Sequence, residues 1–137
     1  MNVQQLLQEA VKKNASDVFL VPGMPFSYKI GGRIMYQGET KIYPDEMDEM
    51  ITQIYEIAGN RDMTKVKEKG DDDFSFAISG LSRFRASVMR QRGSLAAIIR
   101  IVRFELPDFE SLHLPQKVID ISRMTKGLVL VTGPAGS

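Results

Sequence analysis

Apolar residues recur along the first hundred positions with two different periods, and the switches between them mark out the elements. Val3, Leu6, Leu7, Ala10 and Val11 return at helical spacing with Gln and Lys between them, which predicts an amphipathic first helix ending near Asn14. Asp17-Val18-Phe19-Leu20-Val21 then reads as a strand and Pro22-Gly23-Met24-Pro25 as a turn. Residues 26–30 and 33–37 flank Gly31-Gly32, a two-residue hairpin signal, so three short strands are expected before residue 40. Pro44 opens a second helix in which Met47, Met50, Ile51, Ile54 and Tyr55 form one stripe, and Gly59-Asn60 stops it. A shorter helix over residues 62–69 follows.

Asp71-Asp72-Asp73 precedes the alternating run Phe74-Ser75-Phe76-Ala77-Ile78. The triple Asp is expected to be a solvated strand entry, because a hard cation needs ligands converging from several elements. Ser79-Gly80 turns the chain into a strand over residues 82–90, Gly93 breaks the next connection, and residues 95–102 read as the last strand. Helix, strands, helix, strands is the order of an α+β domain on an antiparallel sheet, assigned to residues 1–103.

The texture changes after Arg103. Residues 104–114 have no regular period, which predicts a linker in which His113 is a packed or half-exposed residue. Pro115 suits the first turn of a short helix through Met124, and Gly127 releases the chain into Leu128-Val129-Leu130-Val131-Thr132, a run suited to a parallel strand buried on both faces. That run enters Gly133-Pro134-Ala135-Gly136-Ser137, which matches the first five positions of the phosphate-binding loop G-x-x-x-x-G-K-[ST]. Small residues there let successive N–H groups turn around a phosphate, and a following helix would present its positive end to the same anion. An ordinary turn is the alternative for these few residues. Residues 115–137 are thus expected to open a nucleotide-binding domain.

Composition narrows the picture. A chain of 137 residues with 43% hydrophobic content supports one core rather than two. A net charge of +1 supplies no general field for nucleic acid or anionic membrane, so any basic function must come from local placement of Arg and Lys, and nucleic acid is not an expected partner. The absence of cysteine excludes disulfides and thiolate metal sites, and no metal ligands are assigned. No apolar run reaches membrane-spanning length, which makes the cytoplasm the expected compartment.

The arginines are the feature that patterning does not absorb. Period two puts Arg100 on the face of Ile98 and Val102, where desolvating a charge is costly without a partner. Arg83 and Arg85 share one face of the preceding strand, and antiparallel pairing about Gly93 would bring Arg85 and Arg100 close to facing positions. Two converging guanidinium groups need an anion. Salt bridges to acidic residues such as Asp71, Asp72 and Asp73, a plain place at the edge of the sheet, and a phosphate ligand are all open on strand logic alone.

Ala15-Ser16-Asp17 entering a strand, Asp73-Phe74-Ser75-Phe76, Arg83-Phe84-Arg85, the Arg100 strand and the run from Gly127 to Pro134 together resemble, in order and spacing, the twitching-motility ATPases of the PilT type. The resemblance covers essentially the whole chain. It implies a PAS-like N-terminal domain joined by a flexible linker to a RecA-like ATPase domain, with the subunits assembled as a homo-hexameric ring. It further implies that hydrolysis of ATP, with Mg²⁺, drives type IV pilus retraction against an inner-membrane platform protein, in the cytoplasm at the inner face of the membrane and without insertion. By the same resemblance Arg85 and Arg100 approach the γ-phosphate when the N-terminal domain closes, and Gly133, Pro134, Ala135, Gly136 and Ser137 form the phosphate loop. Phe19 stands where the family often has His, and the acidic Walker and histidine motifs would lie beyond Ser137.

Assembly and type II secretion relatives usually carry an additional N-terminal domain, whereas Ala15-Ser16-Asp17 here follows only a short helix, so the retraction type is expected. A pilus-assembly or secretion ATPase and a PAS-like ligand-sensing or docking module are the alternatives. These 137 residues by themselves are expected to fold but not to hydrolyse ATP.

Overall fold

A computed structural model describes residues 2–102 and 112–133. The contacts divide into two units, Met1–Phe104 and Glu105–Ser137.

In the first unit, helix α1 (Val3–Lys12) is started by Asn2, whose side chain accepts the Gln5 N–H, and is ended by Asn14 in the left-handed region at φ 56°. Helix α2 (Pro44–Ile57) begins on Pro44 with Asp45 and Glu46 in its first turn, where their charges suit the positive helix end. Helix α3 (Thr64–Lys69) is short and stops at Gly70, φ 85°. The strands are β1 (Asp17–Leu20), β2 (Ser27–Ile30), β3 (Arg33–Tyr36), β4 (Asp71–Ile78), β5 (Ser82–Gln91) and β6 (Ser94–Val102). They form one antiparallel sheet in the order β3-β2-β1-β6-β5-β4. The α+β expectation is met.

One face of the sheet carries the core. Val18, Leu20, Tyr28, Phe74, Phe76, Phe84, Ala86, Val88, Ala97 and Ile99 are buried in one cluster with the apolar stripes of α1 and α2 and with Val66 of α3. Tyr28 is fully enclosed and donates its hydroxyl to the Leu6 carbonyl at 2.9 Å, and burial, helped by Glu9, pushes the phenol up to about 12. Tyr28→Phe should therefore cost about 1 kcal/mol, the net worth of one buried hydrogen bond. Urea unfolding should show a lower midpoint at unchanged slope, and an unchanged midpoint would refute the assignment.

Two expectations are corrected by this packing. The triple Asp lies inside β4 rather than ahead of it, and the alternation of the strand turns Asp72 inward while Asp71 and Asp73 stay exposed. Asp72 accepts from Arg61 Nε at 3.0 Å, Lys65 Nζ at 2.9 Å and the buried Tyr55 hydroxyl at 3.2 Å, so it is a structural hub. Arg100 shares its face with Ile98 and Val102 as expected, but the helices cover the opposite face, the one carrying Ala97, Ile99 and Ile101. Its side chain is accordingly 67% exposed and carries no desolvation cost of the kind expected.

In the second unit, helix α4 (Gln116–Ile121) begins after Pro115 and is shorter than expected. Residues 128–132 form no strand ladder among the described residues, and Leu128, Leu130 and Val131 are 83%, 77% and 93% exposed. A central parallel strand exists only through hydrogen bonds to neighbours on both sides. The core of the linker, residues 104–111, lies outside the described residues.

Candidate functional site

The face of the sheet away from the helices is open, and its side chains follow from the register. Arg92 and Gly93 form the tight turn between β5 and β6, both in the left-handed region at φ 52° and 85°, which sets Gln91 against Ser94. Counting back along the two strands brings Arg85 opposite Arg100. A slip of one residue would turn one arginine into the core, so the buried face of Phe84, Ala86, Ile99 and Ile101 fixes the pair as firmly as the turn does.

The same row continues across the sheet as Ser75, Arg85, Arg100, Asp17 and Lys29, each opposite the next on a neighbouring strand. Three cations and one anion thus stand side by side. Asp17 Oδ1 accepts from Arg100 Nε at 3.1 Å, and Asp17 Oδ2 accepts from Ser16 Oγ at 2.8 Å. Among the described residues Arg85 has no hydrogen-bond or ion-pair partner. Asp17, Asp73, Arg85, Ser87, Ile98 and Arg100 line a concavity of about 220 Å³ on this face. That is below the roughly 300–1,000 Å³ of a site enclosing a whole small ligand, and two carboxylates and two guanidinium groups share it. Two guanidinium groups in facing positions repel each other, and a shared phosphate would relieve the repulsion while offering the geometry each fork binds best.

Of the residues assigned to the phosphate loop, Gly133 is described and lies in an exposed, irregular segment, whereas Pro134, Ala135, Gly136 and Ser137 lie outside the described residues. Phe19 lies opposite Ile98 on the open face. Among the described residues no group of three His, Asp or Glu side chains is placed to hold a metal ion. Asp17 was missed as the partner of Arg100. Its only sequence signal was its alternation with Val18, because the pairing of β1 with β6 spans more than seventy intervening residues.

No family model matches the chain. Over all 137 residues it is 30% identical to the type IV pilus retraction ATPase PilT and 29% identical to the type IV pilus ATPase PilU, both of Pseudomonas aeruginosa. Along its whole length the chain is homologous to the PilT and PilU pilus ATPases. It spans 39% and 35% of the length of those two relatives, respectively. A crystal structure of the pilus retraction motor PilT with bound ADP matches all of this PilT/PilU homologue at 36% identity and a TM-score of 0.72, the chain covering 39% of it. The ATPase DotB of Legionella pneumophila matches 97% of the chain at a TM-score of 0.75, with 37% of DotB covered; at 22% identity that likeness shows the fold alone.

Proposed function

We propose that these residues form the N-terminal part of a hexameric ATPase motor for type IV pilus retraction, in which Arg85 and Arg100 neutralise charge on the γ-phosphate of ATP. The observation that carries this reading is the placement of Arg85 opposite Arg100 on the open face of the sheet, in a chain homologous to PilT throughout. A wall with two guanidinium forks fits a transferring phosphoryl group, whose charge spreads over several oxygens. Retraction is favoured because the PilT relatives match the whole chain at 30% and 36% identity. In this reading Gly133, Pro134, Ala135, Gly136 and Ser137 start the phosphate loop, and Mg²⁺ accompanies ATP. The N-terminal domain is PAS-like, and the linker over residues 104–114 leads into a RecA-like domain. The motor works in the cytoplasm against a platform protein at the inner membrane face. No helix among the described residues is long and apolar enough to cross a membrane.

The reading frame after Ser137 is a direct test. Gly-Lys-Ser or Gly-Lys-Thr is expected, and a stop codon there would remove the ATPase reading. The 137 residues alone should neither hydrolyse ATP nor bind it tightly, because the loop Lys and the helix whose N-terminus faces the phosphates are not among them. Calorimetry finding micromolar affinity for Mg·ATP in this chain would contradict the assignment of roles.

A further inference from the structure

Arg85 and Arg100 are not equivalent. Arg85 has no partner among the described residues, whereas Arg100 is held through Nε by a carboxylate that is itself anchored. Asp17 is only 6% exposed, and its second oxygen is occupied by Ser16 Oγ. Ser16 belongs to the turn that joins α1 to β1, and its backbone is bonded into the sheet by Lys29 and Ile101. The carboxylate therefore cannot rotate freely, and the bond it makes to Nε uses one N–H of Arg100 while leaving both Nη groups unbonded among the described residues. A long side chain that is two-thirds exposed would otherwise lose considerable rotamer entropy on meeting an anion. The same carboxylate balances one of the facing positive charges while the site holds no anion.

We propose that Asp17, braced by Ser16, is a positioning residue: it fixes Arg100 through Nε so that the Nη edge meets a phosphate group together with Arg85. The proposal rests on the reading of Arg85 and Arg100 as phosphate ligands. It assigns Asp17 a geometric role rather than an attractive one. A carboxylate beside an anion site repels the anion, so charge alone predicts that any neutral replacement of Asp17 strengthens binding. Positioning predicts that the outcome depends on whether the replacement still accepts the Nε–H.

The test uses the 137-residue chain, inorganic triphosphate as the probe, and the arginine Nε–H resonances followed by NMR, with the Arg100 signal assigned by its loss in Arg100→Lys. In the unsubstituted chain the Arg100 Nε–H should exchange about tenfold more slowly than that of Arg83, the factor supplied by a charge-assisted hydrogen bond. Asp17→Asn keeps an acceptor oxygen and should retain the protected signal, with triphosphate affinity equal to or above that of the parent. Asp17→Ala should lose the signal and bind triphosphate roughly two- to tenfold more weakly than Asp17→Asn, the range expected for releasing one flexible side chain. Ser16→Ala, at an exposed position that leaves the core intact, should reduce the protection partway and serves if Asp17→Ala does not fold.

Equal or tighter triphosphate binding by Asp17→Ala than by Asp17→Asn, or undiminished protection in Ser16→Ala, would overturn the positioning role while leaving the phosphate reading intact. Binding in this chain is expected to be weak, since the loop Lys is not among its residues; triphosphate that even at millimolar concentration shifts neither the Arg85 nor the Arg100 signal would overturn the phosphate reading, and the proposal with it.

Discussion

Replacing Arg100 by alanine in the complete ATPase should lower turnover by ~10³–10⁵-fold, or roughly 4–7 kcal/mol of barrier, the loss that follows removal of an arginine that neutralises a transferring phosphoryl group. Arg85→Ala should fall in the same range, because the two stand opposite each other and face the same space. Lysine at either position should restore little, since a point charge cannot grip two phosphate oxygens as a planar fork does. Stability should respond quite differently. Arg85 makes no ion pair among the described residues, so without nucleotide its removal should leave the melting temperature unchanged or slightly raised through relief of like-charge repulsion. Arg100→Ala removes one partner of Asp17 and should cost little, as expected for an ion pair whose cation is mostly exposed. Turnover and apo melting temperature measured together separate the roles. Near-normal turnover in Arg100→Ala with a large loss of stability would make Arg100 a structural partner of Asp17 and nothing more.

Asp72→Ala should destabilise the first unit by about 3 kcal/mol, because it removes the shared acceptor of two partly exposed cations and of a buried hydroxyl. Its carboxylate is fully enclosed, and its loss leaves the buried Tyr55 hydroxyl without an acceptor. Phe74 limits any rearrangement, because its ring lies 4.8 Å from that of Tyr55 and 4.9 Å from the Arg61 guanidinium. The bond from Arg61, with further donors in Lys65 and Tyr55, outweighs burial and holds the Asp72 carboxyl down at about 2, against an ordinary 3.8. Because the folded value is depressed, the stabilisation is fully present above pH ~4 and is lost as pH falls through 2; a shift of this size corresponds to about 2 kcal/mol. Asp72→Asn abolishes that titration. The stability gap between the parent and Asp72→Asn, followed by denaturant unfolding, should stay constant above pH 5 and narrow toward pH 2. A gap independent of pH would show that the carboxylate charge contributes nothing to the fold.

The elements were legible wherever a local signal fixed them. Asn14, Gly31-Gly32, Pro44 and Gly93 punctuate the chain at the ends of helices and at hairpins, and the two-residue turn at Arg92-Gly93 suffices to place Arg85 against Arg100. Facts that depend on non-local packing were not legible. Which face of β6 the helices cover is decided by α2 settling against β6 on the side of the buried Ala97 and Ile99, and the alternation of that strand, apolar on both faces, does not reveal it. Asp17 reaches Arg100 because β1 inserts between β2 and β6, a strand order with no sequence signature. Asp72 was hidden by its acidic neighbours, although strict alternation from Phe74 and Phe76 back to Asp72 places it on the core side. The run of residues 128–132 has the composition of a buried strand, but composition cannot supply the neighbours a strand needs.

The measurement that bears most directly on the proposed role of the open face is a paired titration of the complete ATPase with ADP and with a non-hydrolysable ATP analogue, comparing the parent with the Arg85→Ala/Arg100→Ala double variant. If the two arginines meet the γ-phosphate, affinity for the ATP analogue should fall by about ten- to a hundredfold, the worth of one or two charge-assisted contacts, while affinity for ADP stays as it was. Equal losses for both nucleotides, or no loss for either, would contradict the account.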